Sequence, residues 1–217
     1  NRAKKTSRKS INDFLEWRTS ISPLIIMDTL IVTIYSYILG SIPFGLIITK
    51  IFLNKDIRKV GSGNIGTTNV LRTGKKSLAI LTLLLDAFKG YVSVLISLIY
   101  FNDLVFLSAL ICFIGHIFPI WLNFKGGKGV AVYLGIITAL SIPLAFVFCF
   151  CWIALAFIFK YSSVSSMVGA LSVLLFSTIL NNYLLSLFLF IIFIIILFTH
   201  RENIRRLKNS EESKINS

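Results

Sequence analysis

The chain has 217 residues, 56% of them hydrophobic, with 19 Phe and only 14% charged residues; its mean hydropathy is +0.84. A chain this apolar cannot hide its side chains in a single aqueous core and needs lipid as part of its solvent. A net charge of +13 would ordinarily point to nucleic acid, but Lys and Arg lie in short blocks between long apolar runs, the pattern of membrane topology, so no nucleic-acid partner is expected.

Residues 1–26 are mostly polar and basic, and Met27 directly precedes the first clean apolar run. They read as a non-native or disordered basic extension, with residues 27–208 as the membrane domain and 209–217 as a polar cytoplasmic tail. The first apolar run covers Thr29 to Phe52, and Gly40, Pro43 and Gly45 in its second half predict a helix that bends or loosens. A polar, Gly-rich loop follows to Ser77, then apolar runs over Leu78–Phe101 and Leu104–Leu122, parted by Asn102-Asp103.

The stretch from Val130 to Phe159 would be about 45 Å long as one helix, too long for an upright span, and Ser141-Ile142-Pro143 predicts a break into two. Asn181-Asn182 likewise divides the stretch from Val164 to Thr199, which would be about 54 Å unbroken. Seven transmembrane helices result, in an all-α polytopic membrane protein. Lys and Arg then gather on one face, in the loops 54–77, 123–129 and 160–163 and after Thr199, while the opposite turns near Asn102, Pro143 and Asn182 carry none. The positive-inside rule makes the basic face cytoplasmic, with the N-terminus outside and the C-terminus inside. Cys112, Cys149 and Cys151 fall within apolar runs and form no CxxC pattern, so packing is their expected role.

The loop Gly61-Ser62-Gly63-Asn64-Ile65-Gly66-Thr67-Thr68-Asn69 formally matches GxGxxG, but no βαβ unit surrounds it; as a P-loop it has Thr67 where Lys is required. Glycines let several backbone N–H groups converge on an anion, Ser62, Thr67, Thr68 and Asn69 add side-chain donors, and Arg72 can grip two phosphate oxygens. A plain flexible turn is the alternative. Lys125-Gly126-Gly127-Lys128-Gly129 combines free backbone with two ammonium groups, or serves only as a topology signal. His200 and Asn203 share a helix face three residues apart beside Glu202; His200 fits a base, a donor, or an interfacial polar residue. Asp86 and Lys89 are at pairing distance inside an apolar run, where ionisable groups are costly. His116 closes the third span, with packing or a hydrogen bond as the first expectation and catalysis as the second. No carboxylate or His cluster has ligand spacing, so no metal or other cofactor is expected.

SIPFG at 41–45, GSGNIGTTNVLRTG at 61–74, DAFKG at 86–90, GHIFPIWLNFKGGKGVA at 115–131 and HRENIRRL at 200–207 together resemble, in order, the bacterial acyl-phosphate:glycerol-3-phosphate acyltransferases of the PlsY type. The resemblance spans about 28–208. It implies a seven-helix enzyme of the bacterial inner (cytoplasmic) membrane with a cytoplasmic active site. Such an enzyme moves a fatty acyl group from acyl phosphate to the sn-1 hydroxyl of glycerol 3-phosphate, giving lysophosphatidic acid and phosphate, the first acylation of phospholipid synthesis. Acyl-CoA and acyl carrier protein are not the expected donors. Thr67 stands where the family pattern has Ala, and AVYLG at 131–135 departs from ATxxG.

On this reading acyl phosphate, glycerol 3-phosphate and membrane lipid are the partners, and the chain works as a monomer. Ser62, Arg72, Lys128, His200 and Asn203 are the expected catalytic residues. Gly61, Ser62, Gly63, Asn64, Gly66, Thr68, Asn69, Arg72, Lys125, Gly126, Gly127 and Lys128 are expected to hold phosphate, with His116, Asp86, Lys89 and Glu202 as secondary candidates. No HxxxxD acyltransferase motif is present: Trp121 lies five residues after His116, and Arg205 five after His200. A transporter for a phosphorylated metabolite is the rival reading; against it, no half-repeats appear and the polar motifs cluster on one face.

Overall fold

The structure, a computed structural model, describes residues 23–215. Residues 1–22, most of the basic extension, lie outside the described residues. Residues 23–26 form the first turn of α1 (Pro23–Ser41), because Leu24, Ile25 and Ile26 extend the apolar run and Pro suits a first turn that needs no N–H. The helix stops at Ser41 because Ile42 precedes Pro43, which restricts its backbone and supplies no donor. α2 (Phe44–Leu53) resumes the same apolar run and ends on Asn54 in the left-handed region, φ 51°. The expected bend is therefore a break.

The Gly-rich loop contains a 3-10 turn, Ile57–Lys59, and a short helix, α3 (Thr67–Leu71), before α4 (Lys76–Tyr100). α5 (Val105–Ile117) leads through a 3-10 turn, Ile120–Leu122, to the loop 123–129. The long apolar stretches divide where expected: α6 (Val130–Leu140) and α7 (Ile142–Phe159) at Ser141, α8 (Ser162–Ile179) and α9 (Tyr183–Thr199) at Asn181-Asn182. Asn182 Oδ1 caps α9 by accepting from the Leu185 N–H at 3.1 Å. α10 (Arg201–Lys208) turns away from α9 by 56° at His200.

Five spans among the described residues are long and apolar enough to cross a membrane: the α1–α2 pair, α4, the α5 region, α7 and α8. The 17-residue α9 joins them only together with α10, and α6, at 11 residues, is shorter. α7 presents most of its surface outward, with Phe157 84% exposed, as a helix does in lipid.

α4 packs along α6, α1 along α5, and α7 and α9 flank α8. The α4–α6 contact is close because Gly90 lies against the Val132 carbonyl and Gly135 against that of Ala87. Ser36, Ser93 and Ser108 link α1, α4 and α5 through hydroxyls 2.8–3.0 Å apart. The main apolar core includes Phe113, Tyr133, Phe148, Val173, Leu189 and Ile192. A smaller one, built on Leu46, Ile57, Ile65, Val70 and Ala79, anchors the Gly-rich loop to α2 and α4.

Candidate active site

Asn69 organises the Gly-rich loop. Its Nδ2 group faces three carbonyls, Ile57 O at 3.0 Å, Val60 O at 2.9 Å and Asn64 O at 2.8 Å, and its Oδ1 accepts from the Ser62 N–H at 3.1 Å. With its donors turned to the loop itself, this side chain shapes the loop before it serves any ligand. Gly61, at φ +54°, sits so close to Asn69 Oδ1 and the Arg72 side chain that a Cβ there would displace both. Asn64 Oδ1 accepts from the Gly66 N–H at 2.8 Å, in the turn just before α3. Thr68 Oγ1 meets Ser162 Oγ at 3.0 Å, tying the loop to the start of α8.

A cavity of about 340 Å³ lies where these pieces meet, and segments far apart in sequence line it. The Gly-rich loop contributes Ser62, Asn64, Gly66, Thr68, Asn69 and Arg72. Asp86 and His116 reach it from α4 and α5, Lys128 from the second glycine loop, and His200 and Asn203 from the α9–α10 corner. The N-terminus of α6 opens onto it through Gly129, Val130 and Ala131, where the first N–H groups have no partner within the helix. Leu83, Leu134, Phe148, Cys149, Trp152 and Ile153 form an apolar arm. A second, more open cavity of about 500 Å³ adjoins Gly61, Ser62, Arg72 and Arg206.

Other expected residues stand apart. Lys125 and Glu202 are exposed and line neither cavity, and neither do Gly63, Gly126 and Gly127. Lys89 is buried behind Asp86 and His116, 2.8 Å from Asp86 Oδ1 and 3.0 Å from His116 Nδ1.

The profile of the glycerol-3-phosphate acyltransferase family matches residues 30–210. The chain belongs to this family. A glycerol-3-phosphate acyltransferase of Pelagibacter ubique is 54% identical over 188 residues, covering 87% of this chain and 98% of that protein. One from Bradyrhizobium diazoefficiens is 49% identical over 183 residues, covering 84% and 92%. The fold matches the crystal structure of PlsY (YgiH), an integral membrane glycerol 3-phosphate acyltransferase, in its glycerol 3-phosphate form, with TM-score 0.82 and 35% identity over 86% of this chain and 94% of that one. Its lysophosphatidic acid form gives TM-score 0.79 and 34% identity, with the same coverage.

In this membrane acyltransferase of phospholipid synthesis, the cavity's charges act on one another. Burial pulls the Lys128 ammonium down to about 8, opposed by Glu212 and helped by Arg206 and Arg72. Burial, with Lys128 nearby, takes His200 down to about 4, partly offset by its bond to the Ile196 carbonyl. His200 Nδ1 lies 2.8 Å from Ile196 O, so Nδ1 carries the proton and Nε2 keeps a lone pair.

Glu212 has no motif signal in the sequence, yet it enters the cavity from beyond α10. Its Oε1 accepts from Asn203 Nδ2 at 2.6 Å and Ser163 Oγ at 2.8 Å, and its Oε2 pairs with Arg206 Nε at 2.7 Å. Burial pushes this carboxyl upward, but the three donors prevail and hold it below its ordinary range. Ser162, Ser163 and Ser166 were also unmarked; the available signal is a run of serines, SSVSS at 162–166, at the basic end of an apolar helix. Thr67 Oγ1 and Asn203 Oδ1 are buried at the cavity wall without a hydrogen-bond partner among the described residues.

Proposed function

We propose that the acyl donor is an acyl phosphate and that the sn-1 hydroxyl of glycerol 3-phosphate attacks its carbonyl directly. The observation that carries this reading is one cavity with a cationic, donor-rich head and an apolar arm. Both substrates are anionic and one bears a long chain, so the chain lies against Leu134, Phe148 and Trp152 while the phosphates meet Arg72, Lys128 and the N-terminus of α6. Asn203 Oδ1, with no hydrogen-bond partner among the described residues, accepts from the glycerol hydroxyl and orients it.

An acyl phosphate is already activated, so positioning and charge stabilisation suffice without a covalent enzyme intermediate. The hydroxyl oxygen bonds to the acyl carbon, the bond from that carbon to the phosphate oxygen breaks, and phosphate departs with its electron pair. The hydroxyl proton passes to His200 Nε2 or to a phosphate oxygen of the substrate. The products are 1-acyl lysophosphatidic acid and inorganic phosphate.

Seven crossings with the basic loops inward give a multi-pass protein of the bacterial inner membrane with a cytoplasmic site. The test is purified protein with labelled glycerol 3-phosphate and, in turn, acyl phosphate, acyl-CoA and acyl carrier protein. Labelled lysophosphatidic acid with acyl phosphate alone is expected. Equal product from a thioester donor contradicts the assignment.

A further inference from the structure

The Lys89 ammonium is hydrogen-bonded to Ile42 O at 2.6 Å and to His116 Nδ1 at 3.0 Å, and Asp86 Oδ1, 2.8 Å away, is its ion-pair partner. An ammonium offers three protons and no acceptor. One buried cation therefore ties the α1–α2 break, α4 and the end of α5 together. His116 Nδ1 must be the acceptor in that contact, which leaves the ring neutral with its proton on Nε2. His200 has the opposite arrangement.

The protonated edge of His116 abuts the second glycine loop. A Cβ on Gly127 would collide with His116 Nε2, and one on Gly126 with the His116 carbonyl. The Gly127 N–H donates to His116 O at 3.0 Å and the Gly126 N–H to Ile117 O at 2.9 Å. The loop thus hangs from carbonyls at the last turn of α5, which have no partner within that helix, and rests on the imidazole. Lys128 is the next residue, and α6 begins two residues after it.

We propose that His116 is a positioning residue: fixed by Lys89 as the Nε2–H tautomer, it sets the Gly126–Gly127 backbone and so aims Lys128 and the α6 N-terminus at the phosphate of glycerol 3-phosphate. This rests on the reading of the cavity given above. Residues that orient a binding group through one intermediate can govern affinity strongly, because small displacements are costly at a site of fixed geometry.

His116→Phe keeps a ring and both carbonyl bonds but loses the Nδ1 acceptor, whereas His116→Gln keeps an acceptor and a donor. In the purified full chain, His116→Phe should raise KM for glycerol 3-phosphate about tenfold with kcat within about threefold, and His116→Gln should return KM to within about threefold of the parent. Hydrogen exchange of the 123–131 backbone, without substrate, should rise in His116→Phe and not in His116→Gln. A parent-like KM in His116→Phe, or a His116→Gln variant as impaired as His116→Phe, overturns the proposal while leaving the function intact. A parent chain that makes no lysophosphatidic acid defeats the functional reading instead.

A further arm needs neither turnover nor a folded His116→Phe variant. The sequence has two histidines, so 15N NMR of histidine-labelled protein, with His116→Gln assigning the signals, reads each tautomer. A proton on Nε2 of His116 is expected; a proton on Nδ1 overturns the proposal.

Discussion

Asn203 Nδ2 donates to Glu212 Oε1 at 2.6 Å, and this bond leaves Asn203 Oδ1, at the cavity wall, without a hydrogen-bond partner among the described residues. The carboxylate thus fixes which end of the amide is bonded to protein and which is left over for a ligand. Asn203→Asp preserves shape but sets two carboxylates against each other. It should lower kcat by about 10²-fold. Adding Glu212→Gln, which can donate where Glu212 accepts, should recover about tenfold of that loss. Steady-state kinetics of both variants checks the relationship; no recovery in the double variant speaks against it.

Arg72 lines both cavities and stacks its side chain close to Gly61. Its planar fork suits two phosphate oxygens at once, which a Lys cannot reproduce. Arg72→Ala should raise KM for a phosphorylated substrate and cut kcat/KM by about 10²-fold, and Arg72→Lys should remain well below the parent. Parent-like kinetics in a folded Arg72→Ala protein would remove the phosphate clamp.

Lys128 is held down to about 8, so its ammonium is mostly charged at pH 7, half charged near pH 8 and largely neutral at pH 9. The ammonium charge, which the proposed reading assigns to the substrate phosphate, is therefore lost as pH rises. Log kcat/KM for glycerol 3-phosphate should fall on the alkaline side from about pH 8, since this parameter reports the unliganded enzyme. In Lys128→Arg the limb should vanish, because guanidinium stays charged. His200, at about 4, is already neutral above pH 5 and sets no limb near neutrality. The acidic limb should follow the substrate phosphate, whose second ionisation lies at about 6. A pH profile of the two proteins decides the matter, and an alkaline limb that persists in Lys128→Arg contradicts the assignment.

Asn69 is 2% exposed, and its amide holds together three turns of the Gly-rich loop. Asn69→Ala strands buried carbonyls and should cost about 2 kcal/mol of local stability. Faster hydrogen exchange across residues 57–69, together with weaker glycerol 3-phosphate binding, is the expected result. Unchanged exchange there would deny Asn69 its organising part.

Periodicity and punctuation made most of the fold legible. Apolar runs announced the helices, and Pro43, Ser141-Ile142-Pro143 and Asn181-Asn182 announced the breaks, because restricted or turn-prone backbones are local properties. The glycine loops, Arg72 and Lys128 stood out because such composition suits anion binding, and Arg72 and Lys128 do come to one cavity. Glu212 and Ser163 were not, since their meaning comes from a chain reversal after α10 that no local pattern encodes. The division of labour within the loops was hidden too. Asn69 reads as one more phosphate donor, yet its amide faces backbone carbonyls, and Lys125 resembles Lys128 in sequence but is exposed and lines neither cavity.

If distant segments form one grip on a phosphorylated substrate, Arg72, Lys128 and Asn203 must share that ligand. The direct measurement is calorimetric titration of glycerol 3-phosphate into the purified parent chain, Arg72→Ala, Lys128→Met, Asn203→Ala and the three pairwise doubles. Each single change should weaken binding by about tenfold or more, with doubles that depart from additivity because the groups share one ligand. Parent-like affinity in all three single variants would contradict the shared grip.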